Sequence, residues 1–442
     1  MKLVIIGGDA AGMSAAMQVV RNTENPEVVV LEKGEVYSYG QCGLPYVISG
    51  TVPSTDDLIA RDVETFRDKY GIDARVNHEV TSVDCSKRKV YGINQDGEKF
   101  EESYDELLVA SGVSPMLPPW KGKDLQGVHA LKTIPDAKEI MADLSEDVEK
   151  VTVIGSGYIG LEVAENFREI GKDVHIITRS DYPGSMVDGD MGKLIQEEAE
   201  KQGVRITRNS SVERLEGEEY VQKVVTEQGE FETDLVVVAT GVTPNTSFMK
   251  GTGIYTAKNE AIEVNRFMET NLPHVYAAGD CAVQYHRLKK RNDFIPLGTH
   301  ANKQGRIAGL VLSGHRKSFK GIVGTSILKF FDLTIGKTGL SEKEAEEENI
   351  PVEKVYVEAT NAAGYYSDEE PMSIKMLTEP ETGKLLGVQI IGPYGVDKRI
   401  DVMATALYNE MTAEDLLDLD LAYAPPYNSV WDALQQAARR VK

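Results

Sequence analysis

One pattern of apolar and polar positions occurs twice along the chain. Leu3-Val4-Ile5-Ile6 is an unbroken apolar run, short enough for a strand buried on both faces. It enters the small-residue turn Gly7-Gly8-Asp9-Ala10-Ala11-Gly12, after which Met13, Ala16, Met17 and Val20 recur at helical spacing. A second apolar run, Val28 to Leu31, then ends in Glu32. The same order returns further on. Val151 to Ile154 leads into Gly155-Ser156-Gly157-Tyr158-Ile159-Gly160, a helix carrying Leu161, Ala164 and Phe167 follows, and Val174 to Ile177 forms the next strand. Both places predict strand, tight turn, helix and second strand.

The turns carry the chemistry. Their glycines let backbone N–H groups approach a pyrophosphate at the positive end of the following helix. A carboxylate ending the second strand, as Glu32 does, can hold both hydroxyls of an adenosine ribose. Asp9 stands where the middle glycine of a G-x-G-x-x-G turn would be. The second unit instead ends its second strand in Thr178-Arg179-Ser180. Arg179 and Ser180 suit a 2'-phosphate that a carboxylate would repel, so this unit is expected to prefer NADPH, with NADH as the alternative. Two units imply two dinucleotides. Leu107 to Gly112 and Val236 to Gly241 are each a strand and small-residue turn followed by Pro115 or Pro244, and are expected to be crossings between two domains. Val275 to Asp280 is a short strand ending in a carboxylate able to reach the ribityl hydroxyls of a cofactor.

Composition narrows the classes. A chain of 442 residues, 41% hydrophobic, has room for two or three domains. Its 70 acidic against 48 basic residues give a formal charge of -22, which disfavours nucleic acid and anionic membrane as partners. An anionic substrate then needs a local basic patch. The apolar opening is too short for a signal peptide, and no run is long enough for a membrane span. Cys42, Cys85 and Cys281 are far apart and odd in number, which points to free thiols and a cytoplasmic setting. No metal is expected.

Cys42 lies in Tyr37-Ser38-Tyr39-Gly40-Gln41-Cys42-Gly43-Leu44-Pro45-Tyr46, far from any other cysteine. Gly43-Leu44-Pro45 reads as a first helical turn with Gly50 as its stop, and the positive end of that helix is expected to lower the thiol pKa. Cys85 and Cys281 read as structural. A redox partner for Cys42 must therefore come from outside the chain, as an oxygen in a sulfenic acid or as the sulfur of a bound small thiol. The acidic run Glu342 to Glu348 reads as a solvated helix face, and the basic run His286 to Arg291 as a charged loop.

In order and spacing, GGDAAG with Glu32, the two strand-turn-proline segments, GSGYIG and YAAGD resemble the pyridine nucleotide-disulfide oxidoreductases through essentially the whole chain. The resemblance implies an α/β protein with two Rossmann-like dinucleotide-binding domains and a C-terminal α+β dimerisation domain. Residues 1–115 and 246–320 would form the FAD domain, 116–245 the NAD(P)H domain and 321–442 the dimerisation domain. Gly7, Gly8, Ala11, Gly12, Glu32, Lys33, Gly112 and Asp280 would hold FAD. Gly155, Gly157, Tyr158, Ile159, Gly160, Thr178, Arg179 and Gly241 would hold NAD(P)H, with Tyr158 as the aromatic that covers the flavin until nicotinamide displaces it.

Within that family, the Cys42 segment is similar to that of coenzyme A-disulfide reductases and the CoA-dependent persulfide reductases. This implies reduction of CoA disulfide to CoA thiol through a Cys42-S-S-CoA mixed disulfide. Three alternatives stay open: a CoA-dependent persulfide or polysulfide reductase, an NAD(P)H oxidase using a Cys42 sulfenic acid, and a non-catalytic flavin-bearing binding protein. Ala10 takes the place of the histidine carried by related peroxidases, which disfavours that activity. Gly364-Tyr365-Tyr366-Ser367 and Ala422 to Tyr427 resemble two tyrosine segments of the dimerisation domain. They imply a homodimer in which each subunit lends Tyr365 and Tyr423 to the other's active site as proton donors. Ser14, Gln18, Arg21, Ser38, Gln41 and Lys69 match substrate-contacting positions, with His300 as a further candidate near the flavin.

Overall fold

The computed structural model describes residues 1–441. The first strand-turn-helix unit forms where the sequence places it, as strand Lys2–Ile6, helix Ala10–Asn22 and strand Glu27–Leu31. Lys2–Ile6 pairs in parallel with Glu27–Leu31 on one side and Glu106–Val109 on the other, setting Ile6 beside both Leu31 and Val109. Val275–Ala277 and Asp73–Arg75 complete this five-stranded sheet. Leu3, Val4, Ile5, Val30, Leu107 and Leu108 are shut off from solvent, so the continuous apolar runs are buried on both faces. All the strands point the same way, and Gly7, Glu32, Ala110 and Asp280 follow their ends at one edge.

The second sheet repeats the design with strands Lys150–Ile154, Asp173–Ile177, Arg205–Thr207, Leu235–Val238 and Val128–His129, all parallel. Each parallel sheet carries an antiparallel three-stranded appendage, 79–103 on the first and 212–232 on the second. The two expected crossings come together. Val113–Pro115 pairs antiparallel with Val242–Pro244, and beside this ribbon the Ser111 hydroxyl donates to Asn245 O at 2.6 Å while Asn245 Nδ2 donates to Ser111 O at 3.0 Å.

The third sheet is antiparallel, in the order Ser326–Phe330, Leu333–Gly339, Leu385–Gly392, Pro371–Thr378, Glu353–Thr360. Helices Val396–Tyr408 and Ala433–Ala438 pack against it through Val396, Ile400, Met403, Leu434 and Ala437. Buried Lys375 on this sheet is ringed by Asp188 at 3.1 Å, Asp190 at 2.8 Å and Glu342. Gln389 closes the group, donating to Asp188 Oδ2 at 2.6 Å and accepting from the Asp188 N–H at 2.8 Å. This cluster ties the second sheet's unit to the third.

One surface reading is corrected here and one is borne out in part. The acidic run forms helix Glu342–Glu347, yet it is not a plain solvated face, because Glu344 pairs with Lys289 at 3.0 Å and with Lys337 at 2.5 Å. The basic run does form a charged turn, residues 287–290 between two short strands, with its two ends held by partners or burial. His286 is fully buried in the strand Gln284–His286, and Arg291 pairs with Glu348. Two ion pairs, Lys289 with Glu344 and Arg291 with Glu348, thus join the two runs. Among the described residues, no helix is long and apolar enough to cross a membrane.

Candidate active site

The glycine turns open into one continuous cavity of about 3010 Å³, which also reaches Cys42. In the first turn the Gly7 N–H donates to Leu31 O at 2.9 Å, and in the second the Gly155 N–H donates to Ile177 O at 2.9 Å. Gly12 and Gly160 shape these turns from behind rather than line the cavity. A Cβ on either would stand 2.0 Å from Gly7 O or 2.1 Å from Gly155 O, closer than any side chain tolerates. Gly7, Gly8, Ala11, Lys33 and Gly112 line the first half of the cavity, and Gly155, Gly157, Tyr158, Ile159, Thr178, Arg179 and Gly241 the second.

The first half fits a flavin dinucleotide. Glu32 is anchored by the N–H groups of Gly8 and Gly34, both at 2.7 Å, which aims its carboxylate at the sheet edge. Asp280 lines the cavity with a buried Oδ1 that has no hydrogen-bond partner, as a hydroxyl acceptor awaiting its donor would. In the second half the Tyr158 hydroxyl donates to Ser326 Oγ on the third sheet, and Ser156 Oγ donates to Thr178 Oγ1 at 2.9 Å. The side chains of Arg179 and Ser180 engage no partner and are free for a ligand.

Cys42 occupies the short 3-10 turn Gln41–Gly43 that precedes helix Leu44–Ile48. Leu44 and Ile48 are buried in the same core as Val151, Leu161 and Phe167, so the second unit holds the cysteine segment in place. The thiol opens onto the cavity but lies deep enough for burial to push its pKa upward, with Glu162 adding to the rise and Lys132 opposing it. The expected lowering by a helix end is therefore corrected. A five-residue helix has little dipole, and the low-dielectric walls outweigh it.

Gln41 is a clamp. Its Nε2 donates to Asp9 Oδ2 at 2.6 Å while its Oε1 accepts from Lys132 Nζ, which also lies 3.9 Å from Asp280 Oδ2. Burial and the nearby Glu32 push the Asp9 carboxyl up to about 6. Burial and Glu165 push Glu162 up to about 7. Lys132 and Glu162 carry no motif of their own, and Asp9 showed in the sequence only as a departure from the glycine pattern. Cys281 is fully buried, its Sγ donating to Val109 O at 3.4 Å, and Cys85 is partly buried; all three cysteines are free.

Other sequence candidates are distributed unevenly. His300 lines the cavity, buried, its Nδ1 at 2.9 Å from Ile295 O, and burial lowers its pKa. Ser38, Ser14, Gln18, Arg21 and Lys69 are not in the cavity wall. Ser38 donates its N–H to Gly8 O at 3.1 Å, and Ser14 Oγ donates to Asn302 Oδ1 at 2.7 Å. Gln18 accepts from Asn22, Arg21 ends the first helix exposed, and Lys69 lies 5.5 Å from the Tyr70 ring centre. Tyr365 and Tyr423 lie together, hydroxyls 2.9 Å apart, beside a separate 440 Å³ recess with Trp431 and Arg439. Both are exposed, 75% and 45%, in a cluster of bare aromatic groups that includes Tyr427 and Trp431.

Comparison with known proteins agrees with this architecture. Residues 1–305 match the pyridine nucleotide-disulphide oxidoreductase model, and residues 325–434 match the dimerisation domain of the same group. The chain is 40% identical over 442 residues to an NAD(P)H sulfur oxidoreductase (CoA-dependent) of Pyrococcus abyssi, covering 100% of this chain and 98% of the relative. It is 31% identical over 447 residues to a coenzyme A disulfide reductase of Staphylococcus aureus, covering 100% of both. The solved structure of reduced CoADR-RHD from Bacillus anthracis superimposes with a TM-score of 0.97 at 35% identity, covering 100% of this chain and 80% of that one. By family model, overall fold and paired dinucleotide turns, the chain belongs to the pyridine nucleotide-disulphide oxidoreductases.

Proposed function

We propose that this enzyme reduces CoA disulfide to CoA thiol with NADPH, through a mixed disulfide between Cys42 and CoA. The observation that carries the reading is a solitary free thiol opening into the cavity shared by both dinucleotide turns. With no second cysteine in the cavity wall, an internal disulfide cannot form there, and a diffusible thiol must supply the second sulfur.

Bound FAD supplies the two-electron couple between nicotinamide and sulfur. The residues of the chain do the rest. Glu32 and Asp280 would hold the ribose and ribityl hydroxyls of FAD, and the Tyr158 ring would cover the flavin until nicotinamide displaces it. Lys132, beside Gln41, opposes the acidic neighbours of Cys42 and favours its thiolate. That thiolate attacks one sulfur of CoA disulfide; the Cys42–S bond forms, the substrate S–S bond breaks, and the departing CoA thiolate takes a proton. An electron pair arriving at the mixed disulfide then returns Cys42 as thiolate and frees the second CoA. One NADPH and one proton are consumed for two CoA thiols.

The proton donors are the partner subunit's Tyr365 and the partner subunit's Tyr423. Support comes from their separation from the Cys42 cavity in the single chain and from the exposed aromatic surface around them, which suits a homodimer interface. Three free thiols also suit a reducing cytoplasm. Arg179 and Ser180 favour NADPH over NADH. A second reading, reduction of CoA persulfide or polysulfide, uses the same thiol and cofactors, and the sulfur oxidoreductase relative at 40% identity favours it.

Intact mass measured with and without reductant tests the relay. A reductant-sensitive adduct of CoA mass is expected on Cys42 and absent from Cys42→Ser, which should keep its flavin absorbance but lose disulfide reduction. An added oxygen in place of CoA would overturn the relay in favour of an oxidase. Parallel rates with CoA disulfide and CoA persulfide then decide between the two reductase readings.

A further inference from the structure

The second dinucleotide unit carries a further arginine beside the one its motif displays. Strands Asp173–Ile177 and Arg205–Thr207 are parallel neighbours with Ile177 opposite Thr207, so the two chains leave the sheet side by side. Their pairing continues beyond the strands. Thr178 N–H donates to Thr207 O at 2.9 Å, Asn209 N–H to Ser180 O at 3.2 Å, and Ser210 N–H to Thr178 O at 3.0 Å. Thr178-Arg179-Ser180 and Arg208-Asn209-Ser210 therefore lie against one another, with Thr178, Arg179, Ser180 and Ser210 in the cavity wall and Arg208 beside it. Asn209 takes a φ of 51°, in the left-handed region where asparagine is tolerated, and this bend returns the chain so that Ser210 lines the cavity. Gln228 Nε2 fixes the bend by donating to Arg208 O at 2.7 Å and Asn209 O at 3.0 Å.

Four groups on these two adjoining segments point to a ligand. Ser210 is 2% exposed, and its Oγ is buried at the cavity wall with no hydrogen-bond partner. Arg179 and the Ser180 hydroxyl make no side-chain contact of their own. Arg208 is held but not consumed: its guanidinium stands 4.8 Å over the Tyr182 ring and Nη1 donates to Asp181 O at 2.7 Å, leaving the rest of its fork free. Asp181 is the only acidic residue from Thr178 to Ser185, and it is exposed. A pair of arginines with two hydroxyls is a donor set for a doubly charged phosphate, more than a bare ribose requires.

We propose that Arg208 and Ser210 join Arg179 and Ser180 in binding a 2'-phosphorylated adenosine. Arg208 is the specificity-determining residue on the neighbouring strand, and Tyr182 sets its direction. This rests on the reading of the second unit as an NADPH site.

The test uses the flavin-loaded protein and two redox-inert probes, adenosine 2',5'-bisphosphate and 5'-AMP, titrated by calorimetry. They differ only in the 2'-phosphate. Wild type is expected to bind the bisphosphate at least ~10-fold more tightly. Arg208→Gln should lose about 10-fold for the bisphosphate and stay within about twofold for 5'-AMP, which also reports an intact fold; Arg208→Lys should recover part of the loss. If Arg179→Gln weakens the bisphosphate while Arg208→Gln does not, the inference is overturned and the NADPH reading stands. Equal losses for both probes would show Arg208 only props the bend, and overturn it too. A wild type that does not distinguish the probes defeats the NADPH reading itself.

Discussion

At the residue scale, Gln41 stands between Asp9 and Lys132, and that placement decides which charges Cys42 meets. A raised thiol pKa means that the reactive thiolate accumulates later on the pH axis than in an ordinary cysteine. Alkylation of Cys42 by iodoacetamide, followed by timed mass measurement, should reach half of its maximal rate at a higher pH than the same reaction of a free cysteine. Lys132→Met removes the opposing cation and should move the profile further up. Glu162→Gln removes a repelling carboxylate and should move it down; an unmoved profile in both variants would contradict the assignment of causes. The thiol that reaches the cavity was legible, because a cysteine between glycines before a short helix is a local signal. Its electrostatic neighbours were not, since Lys132 and Glu162 reach it only through the fold.

At the scale of elements, the two strand-turn-helix units were readable end to end because each depends on local periodicity and on glycines confined to a turn. The cysteine helix was readable in place and in length, with Gly50 at a φ of 76° just past its end. It spans Leu44–Ile48, and its hold comes from burial of Leu44, 1% exposed, and Ile48, 6% exposed, against the second unit. Leu44→Ala should cost about 2–5 kcal/mol in thermal or denaturant unfolding and, in the folded protein, speed alkylation of Cys42 by loosening its wall. Unchanged thiol reactivity would show that the helix does not position the sulfur. The acidic run was misread for a related reason. It looks solvated alone, and only the fold brings Lys289 to Glu344 and Arg291 to Glu348.

At the scale of the whole molecule, the distance between the tyrosine pair and Cys42 within one chain makes a direct complementation test. Cys42→Ser and the double Tyr365→Phe, Tyr423→Phe chains should each give inactive homodimers. A purified mixed dimer should regain about half of the wild-type activity, since one of its two sites combines an intact cysteine with intact tyrosines. A mixed dimer as inactive as its parents would place the tyrosines' work elsewhere. Lys375→Met addresses the link between units. It leaves Asp188, Asp190 and Glu342 without their buried cation and should cost about 3–5 kcal/mol, read as a lowered unfolding midpoint.

The nucleotide-binding insertion is thus fastened twice, by the paired ribbon of Val113–Pro115 with Val242–Pro244 and by the carboxylates gripping Lys375. A body pinned at two points has little freedom to clap shut on an incoming coenzyme. On the proposed reading of Tyr158, admission then falls to something smaller: a single phenol ring released from Ser326 and swung aside like a turnstile, so the cost of entry is one hydrogen bond and one rotamer rather than the displacement of a domain.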